Sequence, residues 1–245
     1  MDRTMLTLAS LEYPGRLIVI GAPRRQSGKA AIVYAITGRS PSSQARKLIL
    51  RDEGIWVQPT DEATLKQGNV DLLIYPAVLF GTAGIAVSNG KQTVDVHNRV
   101  VPGADPVSVL SAALAAWDFE PDAPIFTPRI SGCLVGGRGA LSVVRRGPLG
   151  DSLRSYFEVG PQPGEGRLIS TYEGANADPL PVFCGGPRPV ALAGSSAAET
   201  AASVYRDLGP APAGKDFRVA VASVFVSLAD PKDIDVHIIN RHEWT

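Results

Sequence analysis

Short β-branched and aliphatic runs, broken by Gly, Pro, Asn or Asp, fill most of the chain, which is the pattern of strands joined by tight turns. They predict strands at Arg16–Ala22, Ala30–Thr37, Lys47–Leu50, Ile55–Gln58, Asp71–Phe80, Gly84–Ser88 and Gln92–His97. Further strands are predicted at Ile130–Val135, Ala140–Arg145, Ser155–Val159, Arg167–Tyr172, Arg218–Leu228 and Ile234–Ile239. Asn89-Gly90, between two of these runs, is the preferred pair for a type I′ turn and predicts a hairpin.

Two segments carry helical spacing instead. Asp105 can cap a helix that starts at Pro106, repeats Val107, Leu110, Leu114 and Trp117, and stops at Pro121. Ser196 and Glu199 have capping-box spacing ahead of Ala197, Ala201, Val204 and Leu208, with Gly209 as terminator. Each helix is apolar on one side only, so each must lie on the outside of a sheet. Many strands and two one-sided helices satisfy burial together as an α+β fold, a four-layer αββα sandwich of two mostly antiparallel sheets. No repeat or low-complexity linker divides the chain, and the Gly/Pro-rich stretches at 147–150, 160–166 and 209–214 are loop-sized, so residues 1–245 are expected to form one domain behind an extension at 1–12.

An apolar fraction of 44% with 20% charged residues is that of an ordinary globular protein. Lys plus Arg equals Asp plus Glu at 24 each, so no net field favours nucleic acid or an anionic membrane. Two cysteines, Cys133 and Cys184, make neither a disulfide framework nor a CxxC site, and both are expected as buried free thiols in a reducing cytoplasm. The N-terminus lacks the cleavage pattern of a secretion signal, and no apolar run reaches the ~20 residues that cross a bilayer.

Several motifs suggest chemistry but have simpler explanations. Gly21 and Gly28-Lys29 resemble a phosphate loop, but six residues separate the glycines and a strand follows where a helix is needed, so a hairpin is expected. His237 and His242 are badly spaced for one metal ion, and Asp230, Asp233 and Asp235 lack the glycine and distant glutamate of a calcium loop. No metal site is expected. Ser195 and Ser196 have no glycine elbow around them, and capping accounts for Ser196.

Four further segments matter as an ordered set: Tyr75-Pro76 with Val87-Ser88-Asn89-Gly90, Trp117-Asp118-Phe119-Glu120, Thr127-Pro128-Arg129-Ile130, and Ser170-Thr171-Tyr172-Glu173. With Tyr13-Pro14-Gly15-Arg16 and Thr37-Gly38-Arg39-Ser40 they resemble the signature segments of the archaeal-type inosine monophosphate (IMP) cyclohydrolases. The likeness spans roughly Tyr13 to Val204. It implies a fold similar to N-terminal-nucleophile hydrolases without the N-terminal nucleophile. The implied enzyme is a hydrolase acting on carbon–nitrogen bonds in cyclic amidines. It works in the last step of purine biosynthesis, where 5-formamidoimidazole-4-carboxamide ribotide loses water to give IMP. The resemblance implies a purine nucleotide as ligand, no cofactor, and a homo-oligomer, specifically a tetramer; the charge balance, cysteine usage and N-terminus noted above add the expectation of no nucleic-acid or membrane partner and a cytoplasmic location.

Ring closure requires the carboxamide nitrogen to attack the formyl carbon and the resulting hydroxyl to leave. Under the resemblance, Tyr75 and Tyr172 are expected to donate hydrogen bonds to the formyl oxygen, and Glu120 to take or relay the amide proton. Arg39, Arg46 and Arg129 are the phosphate candidates, with Ser88 and Asn89 near the base or ribose and Thr127, Thr171 and Glu173 as further substrate-binding residues. Each has a plain alternative: a sheet-surface tyrosine, a solvated carboxylate or a surface arginine. The extra length at both ends and the unclear match around Pro41–Arg46 also allow a divergent member that cyclises or hydrolyses another substrate, or a nucleotide-binding protein without turnover.

Overall fold

The computed structural model describes residues 5–25, 28–61, 74–160, 162–212 and 214–243. Two antiparallel sheets stand face to face. The six-stranded sheet contains β1 (Arg16–Gly21), β2 (Lys29–Thr37), β10 (Glu165–Ser170), β11 (Arg188–Ala191), β12 (Arg218–Ser227) and β13 (Ile234–Asn240), in the order β11-β10-β1-β2-β12-β13. The seven-stranded sheet is a meander of β3 (Arg46–Arg51), β4 (Gly54–Pro59), β5 (Tyr75–Gly81), β6 (Gly84–Ser88), β7 (Arg129–Val135), β8 (Arg138–Arg146) and β9 (Ser152–Val159) in chain order.

Period-2 alternation assigns the faces. On β1 and β2, Ile18, Ile20, Ile32, Tyr34 and Ile36 point into the core between the sheets, where they meet Ile55, Val57, Val78, Ile85, Ile130 and Leu141 of the other sheet. The intervening Leu17, Val19, Ala31, Val33 and Ala35 face outward against Ala197, Ala201 and Val204 of the helix α4 (Ala197–Asp207) and its C-cap Leu208. On the far side, α2 (Thr93–His97) and α3 (Pro106–Ala113) cover the seven-stranded sheet through Val96, Val109, Leu110 and Ala113, packed on Ala86, Cys133 and Val144. Burial on both faces explains why β1 and β2 read as continuous apolar runs. The layer order is the expected αββα, with two helices on one outer face instead of one.

The Gly21–Lys29 segment joins an antiparallel pair, with Gly21 opposite Ala31, as a hairpin requires. Asp105 caps α3 by accepting the Ser108 N–H at 2.9 Å. At α4, Ser196 Oγ accepts the Glu199 N–H, but the Glu199 carboxylate reaches back to Ser195 N and Oγ at 2.8 and 2.6 Å, one residue before the N-cap position that a capping box uses.

Four expectations need correction. Gln92–His97 is not a strand, and Asn89-Gly90 is not a hairpin turn. Gln92 Nε2 donates to Asn89 Oδ1 and Thr93 Oγ1 to Gly90 O, which winds the chain into α2 with Thr93 and Val96 buried three residues apart. The α3 helix ends at Ala113, well before Pro121, because the Arg154 guanidinium takes the Leu114 and Trp117 carbonyls at 3.2 and 2.7 Å and draws the chain off the helical path. The strand expected from Asp71 is seen from Tyr75, and Asp71–Leu73 lie outside the described residues. Of the cysteines, Cys133 is buried but Cys184 is exposed. The short α1 (Pro41–Gln44) and the edge strand β11 had no clear apolar pattern to announce them.

Candidate active site

The ends of several strands meet at one end of the sandwich. The start of β1 lies beside the ends of β2 and β10, with Arg16 opposite Ile36 and Leu17 opposite Ser170. In the other sheet the starts of β3, β5 and β7 lie beside the ends of β4 and β6. There a cavity of about 200 Å³ opens, lined by Tyr13, Arg16, Arg39, Arg46, Asn89, Glu120, Asp122, Thr127 and Tyr172, with Ser40, Ser43, Ile125 and Leu180 also in its wall.

Two guanidinium groups occupy its deep end. Arg46 is buried, and its Nε and Nη1, like Arg16 Nε, have no hydrogen-bond partner among the described residues. Burial and the neighbouring Arg16 charge lower the Arg46 pKa to about 10, against the pull of Tyr75, Tyr34 and Glu120. For Arg16, burial opposes the charge, but the Tyr75, Tyr34 and Tyr13 hydroxyls and Glu120 prevail and raise its pKa. The Tyr34 and Tyr75 hydroxyls are 3.0 Å apart in the core, and burial, then Tyr75, pushes the Tyr34 phenol well up.

Glu120 faces these cations. Its side chain is only 13% exposed, and burial raises its pKa above the ordinary value of 4.5, although Arg16, Arg129 and Arg46 oppose the rise. The loop that Arg154 pulls off α3 delivers it. Asn89 Nδ2 then holds Oε1 at 3.3 Å, while Arg129 Nη1 stands 3.9 Å from the same oxygen.

Tyr172 forms the opposite wall. It stacks on Tyr13 at 5.6 Å, its hydroxyl is 2.9 Å from Thr127 Oγ1, and burial pushes its phenol up to about 12. Gly15 makes this close approach possible: its φ is +74°, and a Cβ there would fall 2.1 Å from Thr171 Oγ1 and 2.7 Å from the Tyr172 ring. At the outer end, half-buried Arg39 lies over the Tyr13 ring at 5.4 Å, beside exposed Ser40. A deep cationic end with unused donors and a shallow end with one guanidinium and two serines suits a ligand carrying an oxygen to be polarised at one end and an anion at the other.

Residues 13–228 match the family described as IMP cyclohydrolase-like protein. The chain belongs to the IMP cyclohydrolase-like family. It is similar to the protein named IMP cyclohydrolase from Methanothrix thermoacetophila, 26% identical over 194 residues, which covers 79% of this chain and 85% of that relative. A protein of the same name from Methanopyrus kandleri is 28% identical over 161 residues, covering 65% and 75%. Another, from Halobacterium salinarum, is 31% identical over 134 residues, covering 54% and 63%.

In this family member, six of the eleven expected site residues share the cleft: Arg39, Arg46, Asn89, Glu120, Thr127 and Tyr172. The other five do not line it. Tyr75 is buried against Tyr34 beneath the two cations. Arg129 gives its Nε to Asp118 O and its Nη1 to Gln92 Oε1, and stacks on Trp117, so it buttresses Glu120 from outside the cleft. Ser88 is fully buried and bonds Ser131. Thr171 Oγ1 accepts the Arg16 N–H and donates to Pro14 O, fixing the start of β1. Glu173 pairs with Arg188 and accepts the Cys184 N–H.

The sequence reading assigned no role to Arg16, Tyr34 or Asp122. The signal for Arg16 and Tyr34 was a polar group placed in or against an apolar strand, which must find a partner there. Asp122 carried no signal, because its partner Thr127 comes from a loop whose shape no periodicity reports. Among the described residues, no group of three or more His, Cys, Asp or Glu side chains could hold a metal ion, and no helix is long and apolar enough to cross a membrane.

Proposed function

We propose that this chain is an IMP cyclohydrolase, closing the purine ring of 5-formamidoimidazole-4-carboxamide ribotide with loss of water. One observation carries the reading: in a single cleft, unpartnered N–H donors on Arg16 and Arg46 face a carboxylate held above its ordinary pKa. An amide nitrogen is a weak nucleophile, so closure needs its proton removed while the formyl oxygen gains negative charge, and this pair of features serves both needs. Glu120 takes the carboxamide proton as nitrogen bonds to the formyl carbon, and the guanidinium groups stabilise the oxyanion. Glu120 then returns that proton to the oxygen. The hydroxyl leaves as water while the former formamide nitrogen loses its own proton, so each ring closed releases one water.

Burial separates the arginines by task. Arg46, an expected phosphate ligand, is too deep for a well-hydrated phosphate and belongs to the reacting end. Arg39, with Ser40 and Ser43, takes the phosphate at the mouth. Tyr75 supports the reaction from below, packed with Tyr34 beneath Arg16 and Arg46, instead of touching the substrate. The reading treats the chain as one catalytic domain, because both sheets contribute to one cleft, and it includes assembly into a homo-oligomer.

Absorbance at the wavelength where the closed purine forms tests the reading. The purified protein should convert the formamido ribotide to IMP, and Glu120→Gln should lose on the order of 10²-fold or more in kcat. Binding of IMP without turnover by the native chain would instead support a nucleotide-binding protein.

A further inference from the structure

Asp122 lines the cleft but is unused in the steps above, and both its carboxylate oxygens are committed to one residue. Oδ1 accepts the Thr127 N–H at 2.7 Å, and Oδ2 accepts the Thr127 hydroxyl proton at 2.5 Å. A threonine hydroxyl has one proton. With that proton on Asp122, Thr127 Oγ1 can only accept from its other neighbour, the Tyr172 hydroxyl at 2.9 Å. The phenol proton is then occupied, and the oxygen keeps a lone pair for whatever enters the cleft.

The loop is wound to make this clamp. The N–H groups of Ile125 and Phe126 both turn back onto Asp122 O at 3.0 and 3.3 Å, and Phe126 sits at φ 50°, a left-handed conformation unusual for a bulky residue. Such strain persists only where the surroundings hold it. Burial of Tyr172 and its stacking on Tyr13 leave the phenol no freedom to seek another partner.

We propose that Asp122 is a positioning residue which, through Thr127, fixes Tyr172 as a hydrogen-bond acceptor for a substrate N–H. Resting on the function proposed above, the group it receives is the carboxamide nitrogen. This reverses the donor role expected of Tyr172 from sequence. It also gives the cleft a polarity: donors on Arg16 and Arg46 for the oxygen that gains charge, and an acceptor on Tyr172 to aim the nitrogen that attacks. A substrate turned the wrong way round would set donor against donor at the arginines and acceptor against acceptor at Tyr172.

Asp122→Asn tests the relay with almost no change of shape. The amide oxygen can still accept the Thr127 N–H, but the amide nitrogen now donates to Thr127 Oγ1, so the threonine proton swings to Tyr172 and inverts the relay. The expected result is a fall in kcat on the order of 10²-fold with KM little changed, the size seen when one oriented hydrogen bond is lost from a transition state. Thr127→Ser should retain most of the activity, and Asp122→Asn should cost nothing further in a Tyr172→Phe background. Wild-type kcat in Asp122→Asn, or an equal loss in both backgrounds, would overturn the proposal.

A neutron structure of the deuterated native protein separates this claim from the reaction. A deuteron on Tyr172 directed at Thr127 supports the relay even if the native chain fails to turn over the ribotide, which would count against the function alone. A deuteron on Thr127 directed at Tyr172 refutes the relay whatever the activity.

Discussion

At the scale of single residues, Glu120 links stability to chemistry. Its pKa is raised because burial outweighs the attraction of Arg16, Arg129 and Arg46, so the folded protein binds the proton more tightly than the unfolded chain. That preference contributes stability at pH below the unfolded value and is lost as pH rises through the folded value. Under the proposed mechanism activity runs the other way, since a proton-accepting Glu120 must be ionised. The kcat/KM profile should show an acid limb centred above the ordinary carboxylate range, absent in Glu120→Gln, and the same variant should melt at a higher temperature than the native protein at neutral pH. A melting temperature well below native would show that the ion pairs dominate. Gly15 makes a second test: with φ at +74° and Thr171 Oγ1 2.1 Å from any added Cβ, Gly15→Ala should cost about 1–3 kcal/mol in urea unfolding and lower kcat by displacing Tyr172. Residues of this kind were only partly legible in sequence. Glu120, Arg39 and Tyr172 stood in segments of family resemblance, whereas Asp122 became visible only once a non-periodic loop placed it against Thr127.

Among elements, the segment from Leu114 to Pro128 decides whether there is a site. It leaves α3 because Arg154 of β9 binds the Leu114 and Trp117 carbonyls, and it then carries Glu120, Asp122 and Thr127 to the cleft. Hydrogen bonds from a charged donor contribute about 1.5–3 kcal/mol. Arg154→Ala should therefore lower the urea midpoint by a stability loss of that order, and should reduce kcat although Arg154 lies outside the cleft. Unchanged kcat in a destabilised variant would show that the segment holds its shape without this clamp. The same contact explains a failure of sequence reading. Val107, Leu110, Leu114 and Trp117 keep helical spacing, but an arginine remote in sequence removes the last turns. Likewise Val94 and Val96 in Gln92–His97 favour a strand by residue type, and the side-chain bonds from Gln92 and Thr93 decide for a helix. Strands buried on both faces, such as β1 and β2, were legible because each position needs an apolar residue whichever way it points.

For the whole molecule, the layered architecture followed from burial: helices with one apolar side need a sheet beneath them, and two sheets need each other. That logic yields αββα but not the end at which the cleft opens, which depends on pairings such as Leu17 with Ser170 and Val57 with Tyr75. Because one cleft draws on both sheets, a ligand bound there couples them. IMP at about 100 times its Kd should add about 2.7 kcal/mol to unfolding stability in a single cooperative transition. Two separate melting steps, only one of them shifted by IMP, would contradict a shared site. The most direct measurement is a crystal structure with IMP bound. The phosphate is expected beside Arg39 and Ser40, with the purine between Tyr172 and Glu120 and its C2 edge toward Arg16 and Arg46. A nucleotide found elsewhere, for instance in the open groove at Phe157, Gln162 and Arg167, would contradict it.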